Sequence, residues 1–190
     1  MKNIILVGNG PSVLQKNMGK EIDSYDCVVR FNNFETQGFE ESVGTKCSIL
    51  ARRSCDDVNL WPEEMFEQVL CFVTYCKWTA GLIKVATHLK SFYKNLKVVP
   101  PHICASYGRN IGLDQPLDEW ASVGALALNY FTEIYDKITI YGFDHLVKND
   151  EGIVKHYFNK PPRDDRFHSG EKERLFTEKL IEQGKVERLV

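Results

Sequence analysis

The sequence lacks a long hydrophobic run and a large excess of charge of either sign. Its first apolar stretch, Ile4–Val7, is too short for a signal peptide or a transmembrane helix. We therefore expect a cytoplasmic protein, either free or peripheral at the inner membrane surface. The formal charge of −2 and the absence of a Lys/Arg stripe with interleaved aromatics exclude a typical nucleic-acid partner. The length of 190 residues predicts one domain, residues 1–190, with room for a homo-oligomer contact.

The six cysteines lack the spacing of a metal site. No Cys-x-x-Cys pair occurs, and no Cys/His cluster matches a zinc motif. Cys27 and Cys71 lie in apolar runs, where a thiol behaves as a small hydrophobic group. We expect reduced thiols, no disulfide, no structural metal and no cofactor.

The standard phosphate-binding fingerprints are also missing. The turn Gly8-Asn9-Gly10-Pro11-Ser12 has no following Gly-Lys-Ser/Thr, so it is not a P-loop, and it lacks the third glycine of a dinucleotide fold. No spaced Asp-x-Asp occurs. The adjacent pairs Asp56-Asp57 and Asp164-Asp165 are typical of surface charge. There is no internal repeat or linker.

What the chain does contain is an alternation of strand and helix patterns. Short apolar runs closed by turn signals predict parallel strands. These are Lys2–Val7, Tyr25–Phe31, Cys47–Ala51, Gln68–Thr74, Val98-Val99 and Lys137–Tyr141. Helices are predicted after Ser12, over Ser122–Tyr135 and over His168–Gln183. The alternation predicts an α/β fold with one doubly wound, mostly parallel sheet and helices on both faces.

Three turns converge on the carboxyl edge of this sheet, where such folds bind ligands. They are Gly8–Ser12, Arg30–Asn32 and Gly142–Asp144. Backbone N–H groups in the glycine turn could approach an anion, although a plain tight turn explains the same spacing. Arg30 and Asn32 could bind a carboxylate, phosphate or sugar, or could simply cap the strand.

Three further residues carry candidate chemistry. Ser122 is a good N-cap for the long helix, whose first N–H groups would face the same crevice. His156 and His168 flank a polar segment without periodicity, and histidine is the commonest general base. A solvated surface histidine is the alternative for each. The segment 146–167 is predicted to act as a lid.

Four segments in order resemble the animal-type sialyltransferases, glycosyltransferase family 29, with similarity at the start to the small bacterial sialyltransferases of family 42. Val7–Lys46 (VGNGPSVLQKNMGKEIDSYDCVVRFNNFETQGFEESVGTK) is similar to the large motif of that family. Ser122–Asp144 resembles the small motif, His156-Tyr157 the third motif, and His168–Glu173 the very small His-x4-Glu motif. The stretch Ser54–Glu119 lies outside the resemblance.

The resemblance implies a GT-A-like fold variant and an inverting, metal-independent transfer from CMP-sialic acid to a glycan hydroxyl. It implies His168 as general base and His156, with Tyr157, at the leaving phosphate. The implied nucleotide and donor contacts are Asn9, Gly10, Ser12, Asn32, Ser122, Gly124, Tyr141, Gly142 and Tyr157. Glu173 would orient the His168 ring or simply continue the helix.

The chain also departs from the family pattern. The cysteine pair that links the large and small motifs is missing, and Val123 replaces a small hydroxyl residue. The alternatives that stay open are a CMP-Kdo-dependent transferase and an inactive nucleotide-binding module of a glycan-assembly complex. A glycine-turn oxidoreductase or methyltransferase is disfavoured, because no acidic residue ends the second strand.

Overall fold

The computed structural model describes residues 3–55, 58–113, 119–145, 156–158 and 168–190. Within these ranges the chain forms seven strands, six α-helices and two short 3-10 helices. The strands are β1 (Ile4–Val7), β2 (Cys27–Phe31), β3 (Ile49–Arg53), β4 (Gln68–Phe72), β5 (Leu96–Val99), β6 (Ile138–Tyr141) and β7 (Val186–Arg188). The α-helices are α1 (Gly19–Asp23), α2 (Glu40–Val43), α3 (Thr79–Leu89), α4 (Pro101–Asn110), α5 (Val123–Thr132) and α6 (Gly170–Glu182). The 3-10 helices are Pro11–Gln15 and Glu63–Met65.

The seven strands form one sheet in the order β5-β4-β3-β2-β1-β6-β7, and every pair is parallel. The predicted doubly wound α/β sheet is confirmed. From β1 the strands follow in chain order to β5 at one edge of the sheet, whereas β6 and β7 lie on the other side of β1. The switch point therefore lies between β1 and β6, which is where loops separate and leave a crevice.

Helices cover both faces of the sheet because its central strands are apolar on both sides. On β1, Ile4 and Leu6 face the core that contains α4, α5 and α6, whereas Ile5 and Val7 face the opposite side with α1 and α2. A third cluster packs α3 against Leu50 and its neighbours on β3 and β4. All four residues of β1 are buried, which agrees with a central position.

The six predicted strands are confirmed with small shifts at their ends, and so are the helices over α5 and α6. The sequence analysis missed α1, α2, α3, α4 and β7. Helix α3 contains Gly81 and several β-branched residues, which are weak helix formers. Strand β7 has only three residues, and its alternating pattern is too short to detect.

All six cysteines are free thiols, and Cys27 and Cys71 lie on buried strand positions as expected. Burial raises the pKa of the Cys71 and Cys104 thiols to about 12. In the described part of the chain, no helix is long and apolar enough to cross a membrane. The predicted lid over 146–167 falls mostly outside the described residues, which include only His156–Phe158 of that segment.

Candidate active site

A cleft of about 130 Å³ opens at the switch point between β1 and β6. Its walls come from the turns that follow β1, β2 and β6, from the start of α5, and from one face of α6. The lining residues are 8–11, 31–32, 122–125, 142–145, His156, Glu173 and Thr177. The three turns that the sequence analysis expected to converge do meet here.

The glycines after β1 allow two strand ends to approach each other closely. A Cβ at Gly8 would overlap the carbonyl of Gly142, and a Cβ at Gly10 would overlap the Asp144 carboxylate. The Gly8 N–H donates to the Tyr141 carbonyl at 2.7 Å, and the Gly10 N–H donates to the Gly142 carbonyl at 3.0 Å. These two N–H groups hold β1 against β6 and do not serve as anion donors, contrary to the expectation for this turn.

Ser12 differs from its prediction as a helix N-cap. The helix over Pro11–Gln15 is a 3-10 helix whose N-cap is Gly10. The Ser12 N–H donates to Asp144 Oδ2 at 2.9 Å, and its hydroxyl donates to the other oxygen of that carboxylate. Because Asp144 satisfies the first turn of this helix, Ser12 joins the turn to the end of β6. It is not among the residues that line the cleft.

The hydroxyls of Tyr141 and Tyr157 point away from the cleft. Tyr141 donates to the Val13 carbonyl at 3.0 Å, and burial raises its pKa. The Tyr157 hydroxyl bonds the backbone of Glu35, and the Tyr157 N–H donates to the Asn9 carbonyl at 3.0 Å. Neither side chain lines the cleft, so both hold the turn from behind.

Two asparagine amides lie in the cleft, and each is oriented by a backbone partner. Asn9 donates through Nδ2 to the Phe31 carbonyl at 3.2 Å. Asn32 accepts the Arg53 N–H at 3.0 Å through Oδ1 and has a φ of 47°, a left-handed conformation that asparagine tolerates better than most residues. Because Oδ1 is occupied, the Nδ2 donors of Asn32 are the atoms available to a ligand.

Two buried arginines, Arg30 and Arg52, stabilise the loops around them. Arg30 is fully buried and donates to the carbonyls of Val43 and Lys46, at 2.5 and 2.8 Å. Arg52 is 1% exposed and donates to several carbonyls of the segment that follows β3, including Asn59 at 3.2 Å. Of the two alternatives for Arg30, the structure therefore excludes a ligand contact and supports a structural role. A buried guanidinium is stable here because carbonyl oxygens satisfy its donors.

The N-terminus of α5 forms the far wall of the cleft. Ser122 is its N-cap, as predicted, and accepts the Ala125 N–H at 3.2 Å. Glu173, which is 4% exposed, accepts the Ser122 N–H and the Ser122 hydroxyl, each at 2.7 Å. Glu173 thus orients the start of α5, beside Gly124, a contact that the sequence analysis did not foresee. The first N–H groups of a ten-residue helix provide positive potential at this wall.

Three contacts fasten α6 to the segment that precedes α5. Glu173 bonds Ser122, Lys172 forms an ion pair with Glu119 at 2.6 Å, and His168 Nδ1 lies 2.6 Å from the Trp120 carbonyl oxygen. Since a carbonyl oxygen only accepts, Nδ1 carries the proton. In the neutral ring the lone pair is then on Nε2, which is the protonation state that a general base requires.

A second cavity, of about 190 Å³, is lined in part by residues 119–121 of this segment. Its lining includes Tyr75, Arg109, Glu119 and Trp120. Trp120 packs edge-on against Trp78 at 5.5 Å and against the His168 ring at 6.2 Å. His168 therefore packs against a residue of the second cavity, two positions before Ser122 in the lining of the cleft.

His156 lines the cleft and is exposed, and its ring stacks on Phe158 at 5.2 Å. The backbone contact of Tyr157 with Asn9 holds His156 beside the glycine turn. Across residues 3–55, 58–113, 119–145, 156–158 and 168–190, no group of three His, Cys, Asp or Glu side chains is arranged to hold a metal ion.

Comparison with known proteins identifies relatives over nearly the whole chain. The sequence model of glycosyltransferase family 29 (sialyltransferase) matches residues 1–185. The type 2 lactosamine alpha-2,3-sialyltransferase of Mus musculus is 25% identical over 209 residues, which covers 96% of this chain and 63% of the mouse protein. The human CMP-N-acetylneuraminate-beta-1,4-galactoside alpha-2,3-sialyltransferase is 44% identical over 48 residues, 25% of this chain and 13% of the human one.

The fold matches a solved structure as well. A mammalian sialyltransferase in complex with Gal-beta-1-3GalNAc-ortho-nitrophenol superposes with a TM-score of 0.71 at 20% identity, covering 99% of this chain and 69% of the other. The chain spans less than two thirds of the two curated relatives described above. Similarity to the small bacterial sialyltransferases stays a prediction.

Proposed function

The chain belongs to glycosyltransferase family 29, and from that membership we propose that it transfers sialic acid from a CMP-activated donor to a hydroxyl of a glycan. The observation that carries the proposal is the bond between His168 Nδ1 and the Trp120 carbonyl. It holds a candidate base against residues 119–122, which contribute to both a polar cleft suited to a nucleotide and a cavity with aromatic residues suited to a sugar.

The donor occupies the cleft at the switch point. Its phosphate lies where the Asn32 amide, the His156 ring and the N-terminus of α5 can each donate a hydrogen bond. These donors stabilise the charge that develops as the bond between the anomeric carbon and the phosphate oxygen breaks. Because Glu173 already occupies the Ser122 N–H, the next N–H groups of α5 remain for the donor.

His168 removes the proton of the acceptor hydroxyl. As the acceptor oxygen bonds to the anomeric carbon, its proton passes to Nε2, and the CMP oxygen leaves with the electron pair of the broken bond. A positioned general base contributes about 10²- to 10⁴-fold to the rate. We propose that the acceptor attacks from the face opposite CMP, with inversion, because His168 contacts Trp120 of the second cavity while the donor phosphate lies in the cleft.

We further propose that the transfer needs no metal ion. The leaving phosphate then relies on Asn32, His156 and the α5 N-terminus for stabilisation. The test is turnover and CMP binding in EDTA, both of which should be unchanged. Loss of activity in EDTA, with recovery on adding Mg²⁺ or Mn²⁺, would overturn this part of the proposal.

The acceptor enters through the second cavity. Trp120 and the half-exposed Trp78 present aromatic surface, which sugars use for stacking, while Arg109 and Glu119 offer groups for hydroxyl recognition. The similar mammalian sialyltransferase was solved in complex with Gal-beta-1-3GalNAc-ortho-nitrophenol, which contains a disaccharide. A galactose-terminated glycan is therefore the acceptor class to test first.

The first experiment is thermal unfolding with CMP, CDP, UDP, GDP, NAD and S-adenosylmethionine. A ligand at about 100 times its Kd adds about 2.7 kcal/mol to the free energy of unfolding, which should raise Tm by about 5–10 °C for a domain of this size. We expect that shift with CMP. A shift with UDP or NAD, and none with CMP, would overturn the donor assignment.

Donor hydrolysis then separates the remaining alternatives. CMP-sialic acid should be cleaved slowly without acceptor and faster with a galactoside, whereas CMP-Kdo should be cleaved less efficiently. Preference for CMP-Kdo would change the donor sugar. Binding of CMP without cleavage of either donor would identify a nucleotide-binding module that has lost catalysis.

A further inference from the structure

His145 has an unusual backbone for its residue type. It follows β6 at the mouth of the cleft and has a φ of 51°, in the left-handed region. Apart from glycine, only asparagine, aspartate and histidine are enriched there. Residues held in such conformations cluster at ligand sites, where the surrounding structure compensates for the strain.

The ring of His145 also has an unused polar atom. Its Nε2 is shielded from solvent and has no hydrogen-bond partner among the described residues, although the ring lines the cleft. A buried polar atom without a partner is costly and uncommon in folded proteins. A rotation of the ring toward the cleft would let a bound ligand provide the missing partner.

Burial keeps the ring of His145 neutral. Burial lowers the pKa of His145 to about 4, and Arg188 on β7 and Arg174 on α6 add to that effect. Asp144 and Glu178 oppose it, raising the pKa by a smaller amount. At neutral pH the ring therefore offers one N–H donor and one acceptor, without the positive charge that would favour a phosphate.

The position of His145 in the sheet separates it from the phosphate donors. Asn32 follows β2, whereas His145 follows β6 and has charged neighbours on β7 and α6. Strands β2 and β6 are two strand spacings apart, about 10 Å. The Phe143 ring, whose centroid is 6.5 Å from that of His145, lies between the two ends of the cleft.

We propose that His145 recognises the base of the bound nucleotide through a hydrogen bond from its Nε2 to the polar edge of the base. This inference rests on the proposed function, because it places the phosphate at the Asn32 end of the cleft. A pyrimidine edge carries both acceptors and a donor, so either neutral tautomer of His145 finds a partner there. The aromatic ring of Phe143 provides the apolar surface that a base needs.

The test uses His145→Asn and His145→Gln, measured by calorimetry with CMP, and with UMP, AMP and GMP. Asparagine tolerates the left-handed backbone but cannot reach as far as Nε2, whereas the glutamine amide can. We expect His145→Asn to weaken CMP binding roughly tenfold and His145→Gln to recover most of it. The control is His102→Asn on α4, an exposed histidine outside both cavities.

Ribose 5-phosphate, which has no base, distinguishes the base from the rest of the nucleotide. Its affinity, measured by competition with CMP, should be the same in wild type and in His145→Asn. Equal weakening of CMP and ribose 5-phosphate would overturn the inference, and so would wild-type affinity for CMP in a folded His145→Asn variant.

Failure of the proposed function would look different. Wild type would then bind a nucleotide other than CMP, and the His145 variants would be compared with that nucleotide. Binding of no nucleotide by wild type would overturn both proposals.

Discussion

The two cavities beside the start of α5 are built in different ways. The switch-point cleft is walled by backbone turns whose N–H groups and carboxylates are paired, such as Gly10 with Gly142 and Ser12 with Asp144. The second cavity is walled by large side chains, among them Tyr75, which is 44% exposed. A hydrogen-bonded backbone holds one ligand geometry, whereas exposed side chains can change rotamer at little cost.

The two cavities therefore differ in how readily their walls can change. The cleft cannot accept a side chain at Gly8 or Gly10 without moving β6. The aromatic residues that line the second cavity, Tyr75 and Trp120, lie outside the strands, so they can be replaced without disturbing the sheet. His168 belongs to neither lining and is held by the Trp120 carbonyl, so its replacement should affect chemistry more than binding.

The largest effect is expected for His168→Ala. Removing the base should lower kcat at least about 100-fold with little change in CMP affinity. Steady-state kinetics and calorimetry check the two parts separately, with His102→Ala on α4 as the control. Full activity in His168→Ala would remove this residue from the mechanism.

Glu173→Ala tests whether buried hydrogen bonds hold the cleft. The change leaves the N–H and hydroxyl of Ser122 without their acceptor, so the free energy of unfolding should fall by about 2–3 kcal/mol. Urea unfolding measures the loss. Glu173→Gln, which keeps one acceptor oxygen, should lose less, and Glu182→Ala at the exposed end of α6 should lose almost nothing. Equal stability of all three variants would contradict the assigned role of Glu173.

Trp120→Ala tests the second cavity. Loss of the aromatic surface should raise KM for the acceptor roughly tenfold, while the rate of donor hydrolysis without acceptor stays the same. Trp120→Phe keeps an aromatic ring and should retain most of the acceptor affinity. If Trp120→Ala weakened CMP binding and acceptor binding alike, the separation of the two cavities would not hold.

The smallest expected effect is a change in how the free energy of unfolding depends on pH. His145 has a pKa of about 4 in the folded protein and an ordinary value of 6.5, so between these values the unfolded chain binds a proton that the folded one does not. The free energy of unfolding should therefore fall as pH drops from 6.5 to 4, and the loss from this group is absent above that range. His145→Asn should make that decline shallower, as measured by urea unfolding at about pH 7.5, 6 and 5. An unchanged slope would show that the ring is protonated in the folded state.

Local patterns were sufficient for much of the fold. Runs such as Ile4–Val7 predict buried parallel strands, because a strand that is covered on both faces is apolar at every position and not only at every second one. Ser122 was identified as an N-cap from its position before an apolar helix, and the structure confirms it. Helix α4 was missed although Pro100 is its N-cap and Pro101 its first residue, since Gly108 interrupts its apolar spacing.

The hydrogen-bond partners of the polar side chains could not be predicted from local patterns. Arg30 looked like a ligand contact because it ends a strand, but its burial among carbonyl oxygens depends on a loop 13 to 16 residues away. Asp144 and Glu173 acquired their partners across separations of 132 and 51 residues. No local pattern records such pairings.

The sequence by itself determined which segments are strands, which turns meet at the carboxyl edge of the sheet, and, through the four ordered motifs, the family. Those features depend on the hydrophobicity and spacing of neighbouring residues. Only the tertiary structure decided which polar groups remain for a ligand. It occupied the N–H groups of Gly8, Gly10 and Ser12 within the protein, left the Asn32 amide in the cleft, and left His145 Nε2 without a partner among the described residues. Hydrogen bonding is a pairing between distant groups, and the folded backbone brings those groups together.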